Sequence, residues 1–344
     1  MGGALLLLTG RASGQSSQPS PPAPESSRAR VIIVQDPEAL DAFKPRPDKI
    51  HALVNLGITK LTGKSSSGEA WRSLVSTQDV VGLKVVSTPG PNSGTRPAVV
   101  AAVVEGLLGA GLPPKHIVVW DRRITDLRLA GYLDFVQQYG IRVVGSTQEG
   151  YDENAYYEAA LLGNLLWGDL EFGKQGPGVG RKSFLSKLVS RELTKHINIS
   201  PLLNHNVAGV SGNLYSLTSG SVDNFLRFES DPERLAVAVP EIYAKTNLSD
   251  HVVLNIVDAL ICQYEGGESG LLHWSATLNQ LRFSRDPVAL DVLSLQELDR
   301  QRQMVSAPAV KPNMELYNNA ALLELGVSDP KRIRVETTSD APPH

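Results

Sequence analysis

"DVVGLKVVSTPGPNSGTRPAVVAAVVEGLLGAGLPPKHIVVWD", residues 79–121, decides the fold. An apolar run leads into a Gly/Pro/Ser loop, then a long Ala/Val/Leu pattern, then a second β-branched run, "HIVVWD". Strands this continuously apolar are covered on both faces, and in strand–helix–strand order they imply a parallel sheet flanked by helices. Thr95 reads as the cap of the intervening helix, with Pro97 in its first turn.

The alternation extends in both directions. "RVIIVQD" from Arg30 reads as a strand and "DKIHALVNLGITKLTG" as a helix ending on Gly63. "TDLRLAGYLDFVQQYG" reads as one helix, followed by the strand "IRVVGS". Residues 146–195 look irregular, with "EFGKQGPGVGRKS" as loop. Beyond them come the strand "HINISPLL", the helix "DPERLAVAVPEIYAKTN", and the strands "HVVLNIVDAL" and "QLRFS". "DPVALDVLSLQELDRQRQ" reads as a helix capped by Asp286 with Pro287 at its first position, and "NMELYNNAALLELGV" and "KRIRVE" close the chain. The expected fold class is α/β, a mostly parallel sheet flanked by helices and built from βαβ units. It spans residues 30–338 as a single domain, with about 30–150 and 151–338 as candidate lobes.

Composition narrows the function classes. The 344 residues are 42% hydrophobic and carry a net charge of −3, with basic residues scattered rather than striped, which is not the footprint of a nucleic-acid binder. Cys262 is the only cysteine, so this chain alone builds neither an internal disulfide nor a thiolate-held iron–sulfur cluster; it reads as a buried thiol. No stretch reaches the ~18 uninterrupted apolar residues of a membrane span. The first 29 residues combine a short apolar core, Ala4 to Leu8, with a Ser/Pro-rich run from Ser13 to Ser27. They read as the back half of an export signal plus a linker, with the true start, carrying a twin-arginine motif, expected upstream; the expected location is the periplasm.

Four constellations carry candidate chemistry. "TPGPNSGTRP" follows a strand and opens a helix, so its free N–H groups, with Thr95, are suited to an anion; it is neither a Walker A loop nor G-x-G-x-x-G. Asp121 and Arg122, with Arg123 beside them, stand at the carboxyl end of "HIVVW", the edge where ligands collect in open parallel sheets. "LLNHNVAGVSGNLYSLTSG", residues 202–220, offers His205, Asn206, Ser211 and Asn213, and "SVDNFLRFE" adds Asp223, Asn224, Arg227 and Glu229. His205 serves there either as general base or as ligand, and with Glu229 it forms a candidate site for a divalent metal. Asp258 ends "VVLNIVD" and is followed by Glu265 and Glu268 in a glycine-containing loop, so it is expected to share a crevice with His205. For each constellation the plain alternative is turn, capping or packing chemistry.

Taken in order, "VGLKVV…GTRPAVVAAVVEGLLGAGLPPKHIVVWDR", "INISPLLNHNVAGVSGNLYSL", "NIVDAL…EGG" and "SRDPVALDVLSLQEL" resemble the family called Domain of Unknown Function 362, over roughly residues 75–336. The resemblance implies an α/β fold distantly similar to the N-terminal domain of nickel-pincer lactate racemases, a kinship at fold level that carries no reaction with it. It also implies an exported, ferredoxin-less member. The chain departs from the family pattern in three places: Leu203 where a lysine is common, Asp258-Ala259 where Asp-Gly is common, and Glu229 where a histidine is frequent. The sequence therefore predicts a polar crevice at the strand carboxyl ends, holding a small anionic or metal-associated ligand. The competing expectation is a non-catalytic module that binds a redox partner protein.

Overall fold

The computed structural model describes residues 28–308, 310 and 312–339. The proposed leader core and the whole Ser/Pro-rich run lie outside these residues.

In chain order the strands are β1 (Ala29–Gln35), β2 (Leu40–Asp41), β3 (Lys44–Pro45), β4 (Val81–Val85), β5 (Ile117–Asp121), β6 (Arg142–Gly145), β7 (Tyr151–Glu158), β8 (Lys182–Ser186), β9 (Lys195–His205), β10 (Gly209–Val210), β11 (Val252–Gln263), β12 (Ser275–Ser284) and β13 (Ile333–Ser339). The helices are α1 (Pro47–Thr62), α2 (Ser67–Arg72), α3 (Gly90–Ser93), α4 (Pro97–Gly109), α5 (Ile124–Leu129), α6 (Asp134–Tyr139), α7 (Ser146–Glu149), α8 (Asn213–Ser221), α9 (Pro232–Tyr243), α10 (Pro287–Met304) and α11 (Met314–Leu322). The main sheet runs β13-β1-β12-β11-β9-β4-β5-β6, with β10 paired to β9. All neighbours on this path are parallel except β12, which is antiparallel to both β1 and β11. The α/β class expected from the sequence is the class observed.

Each face of the sheet buries its own core. Leu83 and Val85 of β4 join α1, α2, α4, α5 and α6 on one face, through residues such as Leu53, Trp71, Val103, Leu127 and Phe135. Trp120, Val257 and Cys262 join α8, α9, α10 and α11 on the other, through Leu217, Leu235, Leu298 and Leu316. Side chains alternate along a strand, so Lys84, between Leu83 and Val85, points towards the α8 face.

The connections divide at the centre of the sheet. From β4 the chain crosses through α4 to β5 on one side, whereas from β9 it crosses through α8 and α9 to β11 on the other. β4 and β9 are neighbours, so their onward loops diverge and leave a crevice at the carboxyl ends. This is a topological switch point, the place where open α/β sheets bind ligands.

Several local expectations need correction. The helix over 125–140 is two, α5 and α6, separated by the turn through Ala130 and Gly131. Residues 146–195 hold the antiparallel pair β7 and β8, which their mixed composition concealed. Thr95 is no cap: the N-cap of α4 is Arg96, and the Thr95 hydroxyl accepts from Val86 N–H and donates to Ile199 C=O, binding the loop to the sheet. Asp258 lies mid-strand, because β11 continues to Gln263. β9 runs past Pro201, which is tolerated because the β4 ladder ends at Ile199 and the β11 register shifts after Asp258 opposite Pro201.

Candidate functional site

A pocket of about 150 Å³ opens at the switch point. That is below the ~300–1,000 Å³ of sites for drug-sized molecules, so it suits a small ligand. Wider hollows near Arg285 and Asp286 lie at the opposite, amino-terminal edge of the parallel strands, where topology provides no crevice. One wall of the switch-point pocket comes from the ends of β4 and β5: Lys84, Val86, Thr88, Asp121, Arg122 and Arg123, with Asp126 beyond them. The other comes from the α8 side: Ser211, Tyr215, Ser216 and Ser219, then Glu229, with Glu268 closing the mouth from the 265–270 loop.

Lys84 and Asp121 form the floor. Lys84 is 2% exposed and its Nζ lies 2.9 Å from Asp121 Oδ1. It also donates to Val85 C=O at 2.6 Å and sits 5.7 Å from the Trp120 ring centroid. Asp121 Oδ2 accepts from both the N–H and the hydroxyl of Ser87. Burial by itself would raise the Asp121 pKa, but the Lys84 charge and the Ser87 hydrogen bonds outweigh it and hold the carboxyl below its usual range. A Cβ at Gly220 would fall 2.3 Å from Lys84 Cε, so α8 approaches closely enough for the lysine only because position 220 is glycine.

Tyr215 and Glu229 form the opposite side. The Tyr215 hydroxyl donates to Glu229 Oε1 at 2.7 Å. Burial first, then the charges of Glu229 and Glu268, push the phenol pKa well above its ordinary value. Glu268 is an exposed residue, yet the protein crowding the mouth and the charges of Glu229 and Asp121 raise its carboxyl pKa. Ser211 is fully buried, with a hydroxyl that has no hydrogen-bond partner among the described residues. No ion pair joins Arg122, Arg123, Glu229 or Glu268 to another described residue within 4.0 Å.

The structure sorts the sequence candidates into two groups. Asp121, Arg122, Ser211, Glu229 and Glu268 line the pocket together. The others hold the scaffold. His205 ends β9; its Nδ1 accepts from Val207 and Ala208 N–H at 3.3 and 3.0 Å, and its ring packs on Tyr215 with centroids 4.1 Å apart. Burial lowers its pKa to about 4, so at neutral pH it is uncharged, with the Nδ1 lone pair turned to the backbone and the proton on Nε2. Asn206 is exposed, and its Oδ1 accepts from Asn204 at 3.4 Å.

Asn213 belongs to a buried polar network. Its N–H and Nδ2 donate to Asp291 Oδ1, and Asn198 and Ser200 donate to its Oδ1. Asp291 thereby caps α8 from α10, and its carboxylate fills the space beside Gly212. Asp223 accepts from Leu170 and Phe184 N–H, Asn224 donates to Gly180 and Lys182 C=O, and Arg227 donates to Leu161 and Gly180 C=O. All three stitch the 159–182 excursion to the turn before α9. Asp258 is fully buried, paired with Arg96 at 2.8 Å and accepting the Arg96 N–H at 2.9 Å; no hydrogen bond or ion pair joins it to His205. Glu265 pairs with Arg302 at 2.8 Å. Cys262 is buried, its thiol pKa raised to about 12 by burial and then by Glu297.

Lys84 and Tyr215 were missed among the candidates. A lone lysine inside the apolar run "VVGLKVV" is itself the signal, since a lysine buried in a central strand requires a partner. Among the described residues, no group of three or more His, Cys, Asp or Glu is arranged to hold a metal ion, so His205 and Glu229 do not form a metal centre with a third such ligand. No helix among the described residues is long and apolar enough to cross a membrane.

No protein-family model and no curated protein matches the chain. Among solved structures it is similar to a structural-genomics crystal structure from Thermotoga maritima, at 12% identity and a TM-score of 0.39, over 78% of this chain. The matched part spans 60% of the length of that protein.

Proposed function

We propose that the protein binds a small anionic ligand in the switch-point pocket. The observation that carries this reading is the pair Arg122 and Arg123, free of any ion pair among the described residues, beside the buried Lys84 at the carboxyl edge of β4 and β5. Lys84 and Asp121 neutralise each other, so the arginines supply the attraction and the buried Ser211 hydroxyl adds a neutral contact. Any metal in this pocket would arrive with the ligand. If the ligand reacts, Glu268, with its raised pKa, is placed to exchange a proton with it. His205 acts through Tyr215 as a positioning residue.

Membership of Domain of Unknown Function 362 and export to the periplasm belong to the same proposal; they rest on the four ordered motifs and on the Ala4–Leu8 core. Cell fractionation in the native host checks the location.

Thermal unfolding with inorganic phosphate, acetate and succinate, each with and without Mg²⁺, tests the binding. Ligand at 100 times Kd stabilises the folded state by about 2.7 kcal/mol. The expected result is stabilisation by at least one anion, lost in Arg122→Gln and Ser211→Val. Equal stabilisation in both variants would sink the assignment to this pocket.

A further inference from the structure

The two walls of the pocket differ in sign. On the β4–β5 wall Lys84 is matched by Asp121, which leaves Arg122 and Arg123 against the partly buried Asp126. On the α8 wall Glu229 and Glu268 face the cavity, and no Lys or Arg lines it from that side. No guanidinium reaches Glu229 or Glu268 within 4.0 Å, so the walls form no direct ion pair, and Lys84 and Arg122 act on Glu268 only across the cavity. Charge of both signs therefore borders one small cavity, and the fully buried Ser211 hydroxyl in that cavity has no hydrogen-bond partner among the described residues.

This arrangement selects against singly signed ligands. A plain dianion would gain from Arg122 and Arg123 but meet repulsion from Glu229 and Glu268, and a diamine would meet the reverse. A molecule carrying both charges satisfies both walls at once. We propose that the natural ligand is a small zwitterion, a primary amine joined to a carboxylate, with its acid group at Arg122 and Arg123 and its ammonium at Glu229 and Glu268. This rests on the small-anion reading above and narrows it.

Titration calorimetry at pH 7 tests it with the ω-amino acids from glycine to 6-aminohexanoate, their chain-matched carboxylates and their chain-matched amines. The expected result is that at least one amino acid binds about tenfold more tightly than its carboxylate and its amine, as an additional close charge pair provides. Glu229→Gln and Glu268→Gln should abolish that advantage, weakening amino-acid binding and, with the repulsion removed, tightening carboxylate binding; glutamine keeps an acceptor for Tyr215, and an unchanged melting temperature verifies the fold. Carboxylates binding as tightly as the amino acids would overturn the zwitterion and leave the small-anion reading standing. If no acid-bearing probe binds, or amines alone bind, both are overturned.

Discussion

Lys84 Nζ and Asp121 Oδ1 lie 2.9 Å apart, both buried, and together they join β4 to β5 where the crevice opens. Removing either partner leaves the other charge buried without compensation, which costs about 3–5 kcal/mol. Lys84→Met and Asp121→Asn are each expected to destabilise in that range, and the double variant by less than the sum of the two. Urea unfolding of the three variants measures this, and strict additivity would show that the two groups are not coupled.

Arg96 and Asp258 form a second buried pair, reinforced by the Arg96 N–H on Asp258 Oδ2. It fastens the 87–96 loop to β11, so Arg96→Met should also cost about 3–5 kcal/mol in urea unfolding. A change below ~1 kcal/mol, the worth of an exposed ion pair, would contradict this role.

These two pairs show what the sequence reveals and what it conceals. The alternation around "DVVGLKVVS" and "HIVVWD" made the parallel sheet legible, because apolar strands and turn residues are local signals. Asp121, Arg122, Ser211, Glu229 and Glu268 were legible because loops after strands point to the ligand edge. Lys84 was hidden inside an apolar run, and its partner is 37 positions away in sequence, a relation that only tertiary pairing creates. Asp258 and His205 stand out in the sequence by residue type and by an apparent strand end, and the local pattern shows nothing of what each one touches. Arg96 occupies the first and the backbone of the 205–208 turn occupies the second, and neither partner is visible in spacing.

His205 and His196 both titrate low through burial, at about 4 and about 3. A histidine with a depressed folded pKa contributes stability that is complete above its unfolded value, ~6.5, and is lost as pH falls from there towards the folded value. Asp223, Asp286 and Asp291, raised chiefly by burial to about 6, 6 and 7, act in the opposite direction over an overlapping range. The histidine effect is therefore read by difference. The stability of the wild type relative to His205→Gln should decline from pH 6.5 to 4, and the His205 imidazole should titrate near 4 by NMR. A midpoint near the ordinary ~6.5 would contradict the buried, neutral ring.

Gly220→Ala places a Cβ where Lys84 Cε now lies, at 2.3 Å. The lysine stem or α8 must shift, with an expected loss of about 1–3 kcal/mol. Weaker anion binding should accompany the loss, because the displaced stem enters the cavity. Thermal unfolding and calorimetry read the two effects separately, and a neutral substitution would mean that α8 does not press on Lys84.

Backbone amide chemical shifts during titration with an acid-bearing ligand test the central claim most directly. The switch-point site predicts saturable shifts concentrated at Thr88, Arg122, Arg123, Ser211, Tyr215 and Glu268, on both walls of one pocket. Shifts gathered instead at the amino-terminal edge, around Arg285 and Asp286, would contradict it.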